Sequence, residues 1–136
     1  MTYKIPTILV VEDEILLLEA ITKKLKLNDI NALACSTGKQ AFDYLSTLPE
    51  LPDVIWLDYY LKDTNGLLFM QELKKNPIWA DIPIVIVSNS ASPEKVQTLL
   101  ALGAKDYILK AEHRLEEVVA TVERIAREAQ KGRESA

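Results

Sequence analysis

Five short apolar runs rich in β-branched residues recur at Ile8 to Val11, Ala32 to Cys35, Val54 to Leu57, Ile84 to Val87 and Tyr107 to Leu109. Their length, and the turn formers that bound them, predict strands. After each run comes a segment with helical spacing: Glu14 to Leu27, Gly38 to Leu48, Gly66 to Lys75, Pro93 to Leu102 and Leu115 to Gln130. In the first segment Leu17, Ile21 and Leu25 form a core-facing stripe, with Ile15, Leu18 and Thr22 beside it. Ser92-Pro93-Glu94 predicts a helix start, with Ser92 as N-cap and Pro93 where its missing N–H leaves no donor unpaired; Gly103 supplies the stop. Strands that are apolar on both faces and alternate strictly with helices predict a parallel sheet covered on both sides.

The chain has 136 residues, 49% hydrophobic and 26% charged, which suits one globular domain. The expected organisation is a folded unit over residues 1–130 and a polar tail over 131–136, frayed and solvated beyond Gln130. A net charge of -4 argues against a sequence-independent nucleic-acid binder, which carries a basic face. The single cysteine, Cys35, excludes an intramolecular disulfide and reads as a buried thiol; the single histidine, His113, lies in a polar stretch and reads as a surface residue at a helix start. No signal peptide precedes the first strand and no apolar stretch reaches membrane-spanning length, so the expected compartment is the cytoplasm.

The polar residues that end these runs carry the chemistry. Glu12 and Asp13 follow the first strand, Asp58 the third, Ser88 the fourth and Lys110 the fifth. Taken singly, each has an ordinary use: an acid caps a strand or starts a helix, a serine bonds its own backbone, a lysine stands on the surface. In an open parallel sheet, however, ligands bind outside the carboxyl ends of the strands, where all five residues fall. Carboxylates held close in a partly desolvated cleft repel one another unless a cation or a shared proton offsets the charge, and an all-oxygen donor set suits Mg²⁺ better than zinc. In this cleft Asp13, Asp58 and a backbone carbonyl just beyond Asp58 could hold Mg²⁺, with Glu12 orienting its waters. A carboxylate can then attack an activated phosphoryl group whose oxygens are neutralised by the metal and by Lys110, with Ser88 donating a hydrogen bond.

The motifs V-V-E-D-E at Val10 to Glu14, L-D-x-x-L at Leu57 to Leu61 with Gly66 beyond, V-S at Val87-Ser88 and Y-I-L-K at Tyr107 to Lys110, in that order, resemble those of a response-regulator receiver domain over almost the whole chain. The resemblance implies a flavodoxin-like doubly wound (βα)5 fold with strand order 2-1-3-4-5. It implies that Asp58 is the phosphoacceptor, Glu12 and Asp13 the acidic pair, and Tyr60 the residue whose backbone carbonyl binds the metal. Ser88 would be the switch hydroxyl, Lys110 the phosphate-binding lysine and Tyr107 the switch aromatic, which turns inward to alter the face made by the fourth helix, fifth strand and fifth helix. The implied partners are a histidine kinase or phosphotransfer protein and a downstream protein target, with no direct nucleic-acid or membrane contact, as a monomer or phosphorylation-dependent homodimer. Such a stand-alone receiver catalyses only its own phosphorylation and dephosphorylation. Ile15 and Leu18, read as exposed, would be candidates for docking a kinase helical bundle.

Four positions depart from the family pattern. Lys62 and Ala111 stand where proline is common, and the second leaves open whether the Lys110-Ala111 peptide is cis, a form that costs about 2.5–4 kcal/mol without proline. Asn89 replaces a very small residue and Tyr60 is bulky near the path of an attacking water, which together predict slow hydrolysis of an aspartyl phosphate. The alternatives are a pseudo-receiver that binds without being phosphorylated and a Mg²⁺-dependent aspartate-nucleophile phosphatase. The phosphatase lacks both a cap insertion and an acid at Tyr60.

Overall fold

The computed structural model describes residues 4–90 and 92–134. Along the chain run β1 (Thr7–Val11), α1 (Ile15–Leu27), β2 (Asn31–Cys35), α2 (Gly38–Thr47), β3 (Val54–Asp58), α3 (Gly66–Lys75), β4 (Ile84–Ser88), α4 (Pro93–Ala101), β5 (Asp106–Leu109), a 3₁₀ turn over Lys110–Glu112, and α5 (Leu115–Glu134). The strands pair in parallel in the order β2-β1-β3-β4-β5, the doubly wound arrangement expected of the sequence.

Period-two alternation sorts the central strands onto two cores. Ile8, Val10, Val54, Trp56, Val85 and Val87 face α1 and α5, where they meet Ile21, Leu25 and Val122. Leu9, Val11, Ile55, Leu57, Ile84 and Ile86 face the other side, against residues such as Ala41, Phe69, Leu73 and Leu99. Both faces of the sheet are therefore dry, and the polar groups of the central strands are confined to the strand ends.

Local chemistry sets the helix ends. Ser92 accepts from the Lys95 N–H at 3.2 Å with Pro93 in the first turn, and Gly103, at φ 110°, follows α4 with the backbone N–H of Ala104 closing onto Leu99 at 3.0 Å, a left-handed stop that glycine adopts freely. The first turn of α2 is capped from outside: Asp63 accepts from the N–H groups of Gly38 and Lys39 at 2.9 Å each, and Thr37 from that of Gln40 at 3.1 Å. A Cβ built on Gly38 would stand 2.6 Å from the Thr64 methyl, so glycine lets the β3–α3 loop seat on α2.

Two expectations are corrected. Leu18 is buried at 7% exposure and packs into the core with Ile21 and Leu25, while Leu17 is only partly buried; the helix is rotated from the expected stripe, and of the Ile15–Leu18 pair only Ile15 is exposed, beside Leu16. Helix α5 also runs past Gln130 to Glu134. Its last turns are held by buried Asp53, which accepts from the Thr7 N–H at 2.9 Å, from Gln130 Nε2 at 3.2 Å and from the Arg133 guanidinium. Residues 135–136 of the expected tail lie outside the described residues.

Candidate functional site

Because the strands are parallel and staggered little, the residues leaving β1, β3, β4 and β5 emerge at one edge. Glu12 follows β1, its N–H donating to the Cys35 carbonyl at 2.9 Å. Its carboxylate is 1% exposed, accepting from Lys110 Nζ at 2.7 Å and from the Glu14 N–H at 3.1 Å. Asp58 ends β3, buried at 8% exposure, with its Oδ1 3.5 Å from Lys110 Nζ. Glu12, Asp13 and Asp58 each bring a carboxylate oxygen within 4.8 Å of the others.

The Lys110 ammonium contacts two of the three clustered carboxylates, those of Glu12 and Asp58, and protonation at the site reflects the remaining repulsion. Burial first, and then the Glu12 charge, push the Asp58 carboxyl up to about 7 although Lys110 pulls the other way. Burial lowers the Lys110 value, but its hydrogen bond to Glu12 and the Asp58 charge outweigh that, so its ammonium is held above the ordinary range. A hard cation would relieve the repulsion, and the donors here are all oxygens, so the residues present fit Mg²⁺.

Ser88 ends β4 one residue beyond Val87, which pairs with Asp58 across the sheet. It is fully buried, and its hydroxyl oxygen accepts weakly from the Ser90 N–H at 3.3 Å. The Tyr107 hydroxyl donates to the Ser90 carbonyl at 2.6 Å. Tyr60 lies in the β3–α3 loop, which is closed by Gly66 N–H to the Tyr59 carbonyl at 2.7 Å, Leu61 N–H to the Thr64 carbonyl at 3.1 Å, and a Tyr60–Asn65 antiparallel bridge. The Lys110-Ala111 peptide is trans, and the chain there enters the 3₁₀ turn. Cys35 is buried, and burial pushes its thiol up to about 12; His113 is surface-placed, 3.8 Å from Glu117. A cavity of about 730 Å³ lies at the opposite end of the sheet, lined by Thr7, Pro52, Asp53 and Pro83 where strands begin, away from the acidic cluster.

Two residues near the site were not singled out from the sequence. Asp63 fixes the loop that carries Tyr60 to α2, and Lys95 on α4 donates to the Tyr60 hydroxyl at 2.6 Å. That bond, followed by one from the Ser90 side chain, holds the Tyr60 phenol below its ordinary range. The available signal for Lys95 was a cation in a first helical turn, where the helix dipole disfavours one.

A five-stranded parallel sheet in this order with a carboxylate cluster at its carboxyl edge defines a doubly wound α/β protein with an acidic, cation-suited site. The family model for the response regulator receiver domain matches residues 8–123, and the chain belongs to that family. It is 34% identical over 105 residues to the two-component response regulator ORR8 of Oryza sativa subsp. indica, covering 77% of this chain and 86% of that protein. It is 38% identical over 131 residues to the transcriptional regulatory protein BaeR of Escherichia coli, covering 95% of this chain but 51% of BaeR. Among solved structures, the phosphorylated cyanobacterial phytochrome response regulator RcpA aligns with TM-score 0.75 and 25% identity, covering 90% of this chain and 91% of that one. The CheY-like receiver domain from Methanospirillum hungatei shares the fold, with TM-score 0.83 at 19% identity, covering 95% and 99%. No helix among the described residues is long and apolar enough to cross a membrane.

Proposed function

We propose that the chain is a phosphorylatable signalling switch that accepts a phosphoryl group on Asp58 from a histidine kinase or phosphotransfer protein. The observation that carries this is the buried Asp58 carboxylate set among Glu12, Asp13 and Lys110 at the carboxyl edge of the sheet. Asp13, Asp58 and the Tyr60 carbonyl would hold Mg²⁺, with Glu12 as their partner. Bound there, Mg²⁺ supplies charge neutralisation for the phosphoryl oxygens. An Asp58 oxygen bonds to phosphorus as the bond to the donor breaks, and that bond's electron pair leaves with the donor. Lys110, tethered by Glu12, is placed to move onto a phosphoryl oxygen, since its 3.5 Å approach to Asp58 is the longer of its two contacts. Ser88 donates its hydroxyl to a second oxygen. Drawing Ser88 inward alters the Ser90 backbone to which Tyr107 is bonded, so Tyr107 turns inward and the α4-β5-α5 face changes for a downstream protein.

Incubation with Mg²⁺ and acetyl phosphate, read by intact mass, tests the proposal. The expected result is one phosphoryl adduct on wild type and none on Asp58→Asn. No adduct on wild type favours the pseudo-receiver, and rapid turnover of the donor favours the phosphatase.

A further inference from the structure

We propose that Lys95 is a positioning residue for the phosphoryl cycle: by tethering Tyr60 at the rim of the Asp58 site, it slows hydrolysis of the aspartyl phosphate. The inference rests on the receiver function above and adds a residue from outside the acidic cluster.

Lys95 Nζ donates to the Tyr60 hydroxyl at 2.6 Å and lies 4.3 Å from the centroid of the Tyr59 ring and 4.7 Å from that of Tyr60. The two rings meet edge to face, with centroids 4.8 Å apart. An ammonium between two aromatic rings and a phenol oxygen is held by cation–π attraction together with the hydrogen bond. Tyr59 is buried at 8% exposure and forms the fixed wall of this cage, whereas Tyr60 is 54% exposed and owes its placement to contacts such as this one. The helix dipole opposes a cation in the first turn of α4, so the attraction that holds Lys95 comes from outside its own helix.

The tether crosses the region that matters. Tyr60 lies two residues beyond Asp58, across the bend at Tyr59, in the loop that leaves the carboxyl end of β3, and its backbone is pinned there by an antiparallel bridge to Asn65. Lys95 belongs to the helix that follows β4, whose Val87 pairs with Asp58 and whose Ser88 ends the strand. The Lys95–Tyr60 bond therefore joins the loop after β3 to the helix after β4, beside the two residues that would face the phosphoryl group. In hydrolysis a water oxygen bonds to phosphorus as the bond from phosphorus to the Asp58 oxygen breaks. The electron pair returns to the carboxylate, and the water's protons leave with inorganic phosphate and solvent. A tethered ring restricts the positions from which that water can align, and misalignment is costly to rate.

The test uses the full chain loaded with Mg²⁺ and acetyl phosphate, with the donor then removed and the adduct followed by intact mass. Lys95→Met and Tyr60→Phe are expected to lose the phosphoryl group at least about threefold faster than wild type. Lys95→Arg is expected to stay close to wild type, because a guanidinium also donates to the phenol oxygen and stacks on the rings. Melting temperatures are expected to stay together across the set, which separates positioning from a general loss of structure. Equal rates in wild type and Lys95→Met overturn the inference while the adduct leaves the receiver function standing, and so does equal acceleration in Lys95→Met and Lys95→Arg. A wild type that forms no adduct overturns both.

Discussion

At the scale of single residues, Asp58 carries a carboxyl whose surroundings disfavour its anion. Its carboxyl is pushed up to about 7 by burial and by Glu12, so between the unfolded carboxylate range and 7 the folded chain holds a proton that the unfolded chain has lost. Stability from this group is therefore present below about pH 4 and declines as pH rises to about 7, by an amount on the order of 4 kcal/mol in metal-free protein. Asp63 works in the opposite direction: burial raises its value, but the backbone N–H groups of Gly38 and Lys39 outweigh that and lower it, so its contribution is lost as pH falls. The difference between wild type and Asp58→Asn isolates the first effect. Urea titrations of metal-free protein are expected to show Asp58→Asn more stable than wild type at pH 8, with the gap closing toward pH 5. A gap that does not depend on pH would contradict the account. The placement of Glu12, Asp13, Asp58, Ser88 and Lys110 was legible in the sequence because each stands within two residues of the end of an apolar run, and parallel strands bring such ends to one edge. The Lys95 cage was not, since it depends on how a loop after β3 and a helix after β4 meet in space.

At the scale of elements, the expected strand and helix order holds, with boundaries moved by at most one residue except in α5. Periodicity ended that helix at Gln130, because Lys131, Gly132 and Arg133 carry no apolar stripe. The partner that prolongs it, Asp53, lies in the chain just before β3 and is linked to Arg133 only through the folded sheet. The rotation of α1 has a similar origin: Leu17 and Leu18 are adjacent on the helix, and packing against the sheet and α5 decides which turns inward. Asp53→Ala is expected to free the last turns of α5 and leave the Thr7 N–H without its carboxylate, at a cost of about 1–3 kcal/mol. Hydrogen exchange checks this, with faster exchange expected over residues 127–134 and little change in β4. Unchanged protection there would show that the clamp does not hold the helix.

At the scale of the whole molecule, two dry cores leave the carboxyl edge of the sheet as the place where charged groups of the central strands collect, and the family match accords with that geometry. Fold class was legible because the alternation of five strands with five helices admits few topologies; the strand order came from the resemblance carried by the motifs, and the structure agrees with it. The central claim is that the cluster makes Asp58 a phosphoacceptor. Its most direct test is reductive trapping with borohydride after Mg²⁺-dependent phosphorylation by acetyl phosphate, followed by peptide mass mapping. The account predicts homoserine at position 58 and at no other aspartate, dependent on both Mg²⁺ and donor. Homoserine at another position, or a phosphoryl group on His113 with Asp58 unmodified, would contradict it.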